Sequence, residues 1–431
     1  MKYPLLLLFI AFYTNLSAQS DFPYQERQEK ILNDYTESIV IISSKTDNNK
    51  KNLDFYYLTG EESGNAVLVL SPKSDIPVLL FSDEIDNTDY PASIFTIGKL
   101  DQVLEKEIKN YEKVKVVNTY HTVFDRLDIF RNMEEIENIN DYLVRMRIEK
   151  DQQEVEALRN ACRITAEGLN KVFREIQEGM TEEQLIRIME DYFKEQGSSG
   201  SSFYQAASGP HSVNIHFGAT NRKIQTGDII VFDIGAWYAH YTADISRTIP
   251  VGGEFSKPQR EIYDAVLKAQ KTAIKEMKPG AKLLHVQKVA ENRLINELHE
   301  LGLVLDVNSE WQRKLFIQHG FYHFIGLHVH DVWYDYSKIL EDKYYKPGMI
   351  MTMEPGVYFP YDMLDTVPRR LKNLVGEEEF LQFAEQIKSV YSRYSGMGVR
   401  IEDDILITKD GNEVLTKDVP KEISEIEKMM Q

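Results

Sequence analysis

The sequence predicts an α/β domain followed by a larger α+β domain, and three observations carry that prediction. The chain has 431 residues, more than one hydrophobic core usually serves, so two domains are expected. Its first third carries short apolar runs punctuated by Gly, Asn and Pro. From Arg147 the pattern changes to long amphipathic helices alternating with strands that carry isolated carboxylates. The expected division is residues 19–146 for the first domain and 147–431 for the second.

Ahead of both lies MKYPLLLLFIAFYTNLSA, residues 1–18, in which Lys2, an apolar run and Ser17-Ala18 follow in order. That is the layout of a secretory signal peptide, too short and too abruptly ended for a membrane span. It predicts an exported protein, periplasmic or secreted, with no membrane anchor. In the first domain, SIVIIS (38–43), FYYLTG (55–60), AVLVLS (66–71) and PVLLFS (77–82) read as strands, with helical sequence around 101–111. In the second, Val155, Leu158, Cys162, Ile164, Leu169 and Val172 fall near one stripe of a long helix. A second helix is expected at 181–196, opened by Thr181 with Glu183 close behind and ended by Gly197. The run SSGSS (198–202) reads as a loop feeding a strand. IIVFDIGAWY and HYTADISRTIPV read as two antiparallel strands, helices as occupying 258–276 and 285–301, and 349–358 and 398–408 as strands again.

Composition narrows the function. A net charge of −18 argues against nucleic acid, whose phosphates need clustered Lys and Arg. Cys162 is the only cysteine, so no intrachain disulfide can form, and its place in the helical stripe makes it a small core residue.

The chemistry lies in carboxylates delivered by apolar segments. Asp233 interrupts IIVFDIG, and Asp244 follows eleven residues later, beyond a turn near Tyr238 to His240. On an antiparallel pair both can face one side. Glu354 ends MIMTM, and Glu402 lies in GVRIEDDILIT, where strand periodicity puts Arg400 on the same face as a group that holds a ligand carboxylate. A buried carboxylate needs a partner or a metal. Asp403 and Asp404 are read as lying outside the ligand set. His319, His323, His328 and His330 place four of the ten histidines within twelve residues, although spacing alone does not say which binds metal. An imidazole and four carboxylates without a thiolate make a hard, oxygen-rich donor set that suits Mn²⁺.

SGPHSVNIHF, DIGAWYAHYTADISRT, HGFYHFIGLHVHD, MEPGVY and GVRIEDD, in that order, resemble the catalytic domain of the pita-bread metallopeptidases, the family of aminopeptidase P and prolidase. The likeness spans about residues 147–417, and DFYYLTG (54–60) resembles part of that family's N-terminal domain. The resemblance implies an α/β N-terminal domain followed by a pita-bread catalytic domain holding two divalent metal ions, with manganese the choice. It implies Asp233, Asp244, His323, Glu354 and Glu402 as ligands, Asp244 and Glu402 bridging. His216 would stand on the substrate side, His330 would contact the scissile amide and move protons, and His319 would line the proline side of the pocket. Glu354 would be the general base beside a metal-bridging hydroxide that acts as nucleophile. The implied reaction removes the first residue from peptides with proline second. Prolidase action on Xaa-Pro dipeptides is the alternative, and a non-catalytic binding protein on the same fold a third reading. A homo-oligomer, dimer or tetramer, is implied as well. His328 departs from the family pattern, which carries an acidic residue there. The stretch 361–395 is longer than usual and reads as a surface helix, with a lid or subunit contact as the sharper alternative.

The leader generates a direct prediction. N-terminal sequencing of the exported protein is expected to begin at Gln19, and a chain that still starts at Met1 would contradict it.

Overall fold

The computed structural model describes residues 23–45, 50–84, 93–117, 136–332 and 344–431. The expected leader, 1–18, lies outside the described residues. The chain divides into two compact units, Met1–Arg147 and Ile148–Gln431. Among the described residues no helix is long and apolar enough to cross a membrane.

In the first unit, β1 (Ser38–Ser43), β2 (Ala66–Leu70), β3 (Val78–Ser82), β4 (Ser93–Phe95), β5 (Lys113–Val117) and β6 (Ile136–Asn138) form a mixed sheet of order β4-β3-β2-β1-β5-β6. β1 runs antiparallel to β2 and parallel to β5. Alternate residues Ile39 and Ile41, Val67 and Val69, and Leu79 and Phe81 bury one face under Leu100, Leu104 and Ile108 of the following helical segment.

The expected strand at 55–60 is instead a helix, Leu53–Thr59. Asn52 caps it, its side chain accepting the Asp54 N–H at 3.1 Å, and Gly60 ends it in the left-handed conformation at φ 72°. The aromatic run suggests a strand by propensity, but a cap residue and a glycine eight residues apart over-rule so short a preference.

In the second unit the helix Gln152–Glu175 starts at Asp151, which makes a reciprocal capping box with Glu154. Leu158, Cys162, Ile164, Leu169 and Val172 are buried as expected, whereas Val155 is only half-buried at the stripe's edge. The next helix, Glu182–Glu195, is opened by Thr181, but the reciprocal partner is Gln184 and not Glu183, because only the third helical position reaches back to the cap.

β7 (Ser201–Ser208), β8 (Ile229–Tyr238), β9 (Tyr241–Thr242) and β10 (Ile245–Pro250) form an antiparallel sheet in which β8 lies between β7 and β10 and also pairs with β9. The helix Gln152–Glu175 packs on β8. Two further ladders complete the frame: β11 (Ile350–Met353) with β14 (Asp403–Ile407) and β15 (Asn412–Val414), and β12 (Gly356–Tyr358) with β13 (Gly398–Arg400). Helices expected at 258–276 and 285–301 are found at Lys257–Glu276 and Leu283–Glu300, and they pack against each other.

The stretch 361–395 contains the helix Glu377–Tyr391. Phe380, Phe383, Ala384, Ile387 and Tyr391 are buried, with the Phe383 ring 4.8 Å from Trp311, while the acidic face is exposed. This is the surface helix of the sequence reading, tied down by its own apolar side. Phe383→Ala is therefore expected to lower stability by about 3 kcal/mol, the usual cost of deleting a buried ring. Denaturant titration measures it. Catalytic constants at temperatures where the variant is folded should stay at the wild-type value.

Candidate metal centre

Three strand ends converge on one point. Asp233 sits inside β8 opposite Ser246 of β10, and Asp244 lies just before β10 begins. Gly235 makes the hairpin possible: a Cβ there would stand 1.6 Å from the Ala243 carbonyl oxygen. Glu354 and Glu402 occupy matching breaks, between β11 and β12 on one strand and between β13 and β14 on the other. At that break Glu402 leaves its ladder and its N–H donates to the Ser246 carbonyl at 3.0 Å, which ties it to β10.

His323 completes the cluster. Its Nε2 lies 3.3 Å from Asp244 Oδ2, 3.4 Å from Glu354 Oε1 and 3.8 Å from Glu402 Oε1. Nδ1–H donates to the Phe324 carbonyl at 3.1 Å, which leaves the Nε2 lone pair aimed at the carboxylates. Asp244, His323 and Glu402 each offer one ligand atom within 4.8 Å of the others. Donors bound at about 2.1 Å to one ion stand roughly 3.0–3.5 Å apart, so the two shorter separations fit a shared cation and the 3.8 Å one lies just beyond. Asp233 Oδ1, Asp244 Oδ1 and Glu402 Oε1 are buried and have no hydrogen-bond partner among the described residues. Unpaired buried carboxylate oxygens facing one another are what a divalent ion satisfies.

The electrostatics agree. Burial, then the neighbouring Glu402 and Asp233, pushes the Asp244 pKa well above the ordinary carboxylate value. Burial followed by Glu354 and Asp233 does the same to Glu402. Glu354 rises to about 8, chiefly through burial, with Arg400 opposing and Asp233 adding. Burial and then His330 lower His323 to about 3, which keeps its ring neutral and able to ligate.

Positive charge arrives from two buried arginines. Arg400, 1% exposed, pairs with Asp233 Oδ2, donates from Nε to Ser246 Oγ at 2.8 Å and from Nη1 to Tyr358 Oη at 2.7 Å. Ser246 Oγ in turn donates to Glu402 Oε2 at 2.7 Å. Arg400 therefore holds a ligand-type carboxylate, but the one across the sheet, and it reaches Glu402 only through a serine. Arg247, fully buried, donates to the carbonyls of Ser246 at 2.9 Å and Glu402 at 2.6 Å and pairs with Asp403 at 2.7 Å. Against burial, Arg247 and Lys421 hold Asp403 far below the ordinary carboxylate range. Asp404 Oδ2 accepts the Asp244 N–H at 3.0 Å and the Cys162 thiol at 3.3 Å. Asp403 faces Arg247 and Lys421, whereas Asp404 Oδ1 is buried without a hydrogen-bond partner among the described residues.

The cluster floors a cavity of about 650 Å³. Its walls include Ser201 to Gln205, His216, Phe217, Trp237 and His328 to His330. The His216 loop is anchored by Glu182, whose carboxylate accepts from Ser208, His211 and Thr220. His330 stacks edge-on against His323 at 4.5 Å, and exposed His328 accepts the His330 N–H at 3.1 Å. His319 is not among the residues lining the cavity. Its Nδ1 bonds the Gly320 carbonyl at 2.7 Å and lies 3.7 Å from Glu354 Oε2, and its Nε2 bonds the Tyr358 hydroxyl at 3.1 Å. No residue from 361 to 395 lines the cavity. Ser246, Arg247, Tyr358 and Gln205 escaped the sequence reading. A full-length arginine inside the apolar run ISRTIPV was the available signal for Arg247.

Comparison with known proteins agrees with this geometry. Residues 156–409 match the model of metallopeptidase family M24. The chain is 31% identical over 404 residues to an Xaa-Pro aminopeptidase of Haemophilus influenzae, covering 87% of each chain. It is also 31% identical over 376 residues to an Xaa-Pro dipeptidase of Homo sapiens, covering 81% of this chain and 72% of that one. The solved aminopeptidase PepP of Pseudomonas aeruginosa superposes with a TM-score of 0.79 at 27% identity, covering 96% of this chain and 98% of that one. A zinc-substituted Escherichia coli aminopeptidase P in complex with product gives 0.78 at 26% identity, covering 94% and 97%.

The raised carboxylate pKa values predict how the metal-stripped protein responds to pH. A group such as Glu354, lifted from 4.5 to about 8 in the fold, adds stability fully present below 4.5 and lost as pH rises through about 8. Thermal melts of stripped protein from about pH 5 to about pH 9 should show falling stability, and added Mn²⁺ should raise the midpoint most at the alkaline end. A flat profile with the same metal effect at every pH would contradict this.

The residues that gather at these strand ends, and the family whose model spans them, lead to one conclusion: the chain belongs to metallopeptidase family M24.

Proposed function

We propose that the protein is an Xaa-Pro aminopeptidase, a metal-dependent hydrolase that releases the first residue from peptides with proline second. The observation that carries the proposal is the cluster of four carboxylates and one imidazole at the floor of a peptide-sized cavity, with three buried oxygens that have no hydrogen-bond partner among the described residues. Similarity to solved aminopeptidase P structures along nearly the whole of both chains supports this subfamily.

In this reading Asp233, Asp244, His323, Glu354 and Glu402 would hold two divalent ions. Their oxygen-rich chemistry favours Mn²⁺. When bound, such a pair polarises the scissile carbonyl and activates water for attack. Glu354 takes up a proton at a carboxylate oxygen, and Arg400 fixes Asp233 while Ser246 fixes Glu402. The proline nitrogen is part of a tertiary amide and leaves only once protonated, a transfer assigned to the His330 imidazole on the cavity wall. His216 bounds the substrate side, and the rings of Phe203, Phe217 and Trp237 exclude water and pack on the pyrrolidine. His319 acts from behind by orienting Tyr358, which contacts Arg400. Export through the leader and assembly as a homo-oligomer belong to the same proposal.

Prolidase is the second reading, favoured by the human dipeptidase, which is as similar in identity as the aminopeptidase. Amino-acid release by Mn²⁺-loaded protein decides between them. An Xaa-Pro-Xaa tripeptide should be cleaved, with an Xaa-Pro dipeptide and an Xaa-Ala-Xaa tripeptide nearly untouched. Release from the dipeptide alone would make the protein a prolidase, and silence on all three despite bound metal would leave a binding protein. Glu402→Ala should lower kcat by at least about a hundredfold at saturating Mn²⁺.

A further inference from the structure

We infer that Gln205 is a further substrate-binding residue, its side-chain amide donating a hydrogen bond to a main-chain carbonyl oxygen of the bound peptide. The inference rests on the peptidase reading above. Gln205 is 3% exposed and stands opposite Asp233 in the β7–β8 ladder, so both side chains leave the sheet on the same face.

The orientation of the amide is fixed by its surroundings. Gln205 Oε1 accepts the Phe217 N–H at 2.9 Å, and only the oxygen can do so. Nε2, with two N–H donors, is thereby turned the other way. It is buried and has no hydrogen-bond partner among the described residues, while its side chain lines the cavity. Asp233, opposite it in the ladder, likewise has a buried Oδ1 without a hydrogen-bond partner among the described residues, so the two do not satisfy each other. A buried donor left unpaired is costly, and a peptide entering the cavity brings acceptors.

Which acceptor follows from the substrate's chemistry and the wall. Beside Gln205 the cavity is lined by Phe203, Tyr204, Phe217 and Trp237, surfaces suited to apolar side chains. An Xaa-Pro link has no N–H, and its own carbonyl is the one the metal ions would polarise, so the acceptor left for a donor such as Gln205 is the next main-chain carbonyl, that of the proline residue. Gln205 supplies one that is uncharged at every pH and does not compete for metal.

The test measures kcat and KM of metal-loaded wild type, Gln205→Glu and Gln205→Leu on Xaa-Pro-Xaa tripeptides that vary in the first residue, with bound metal quantified for each. Gln205→Glu keeps an acceptor for the Phe217 N–H and removes the donor but adds a carboxylate opposite Asp233, so its bound metal is read alongside, whereas Gln205→Leu removes both groups without adding charge. Both variants should raise KM about tenfold, with kcat within about twofold, metal content unchanged and the same effect for every first residue. If Gln205 merely braces the Phe217 loop, Gln205→Glu will behave as wild type, and the inference fails. An effect confined to one first residue, or loss of metal with KM unchanged, also overturns it. An active wild type with unaltered variants removes this inference alone, whereas a wild type inactive on all peptides removes the peptidase reading and this inference with it.

Discussion

Four carboxylates, three buried and Glu354 half-buried, facing one neutral imidazole are the constraint around which the second unit is built. At ordinary protein screening each close pair of negative charges costs about 4 kcal/mol. The chain offsets part of that with Arg400 on Asp233 and with Arg247 on the carbonyls beside Glu402. The rest is carried by carboxyl pKa values displaced upward, as at Glu354, Asp244 and Glu402. Such a site is unfavourable as bare protein and favourable around divalent cations, so metal affinity and folding stability are coupled.

Geometry is held by backbone as much as by side chains. Asp244, Glu354 and Glu402 sit where strands end or break, and Asp233 faces them from inside β8. Gly235 lets the hairpin close against the Ala243 carbonyl, and Gly398 lets β13 approach Ser212, where a Cβ would stand 1.9 Å from the carbonyl oxygen. Glu182 and Ser212 then fix the loop that carries His216, a purely structural pair in service of a substrate-side residue.

Much of this was legible in the residues. Asp233 within IIVFDIG and Glu354 after MIMTM announce themselves because a charge inside an apolar run must be satisfied by something. His323 was not separable from its three neighbours by spacing; the difference is a fixed tautomer, set by the Phe324 carbonyl, and that is a tertiary fact. Arg400 was read beside Glu402 because strand alternation speaks of the same strand, whereas its partner Asp233 lies on another. The helix at Leu53–Thr59 was misread because aromatic propensity was weighed above the Asn52 and Gly60 signals. Gln205 was invisible for a different reason: an unpartnered nitrogen exists only once every other contact is in place.

The central claim is that these five side chains form a metal centre. Calorimetric titration of Mn²⁺ into metal-stripped protein, repeated with Glu402→Gln, tests it most directly. The account predicts two ions per wild-type chain and loss of at least one in the variant, which keeps the shape of the side chain but not its charge. Failure of the wild-type protein to bind a divalent ion, or binding unaffected by the Glu402 substitution, would contradict it.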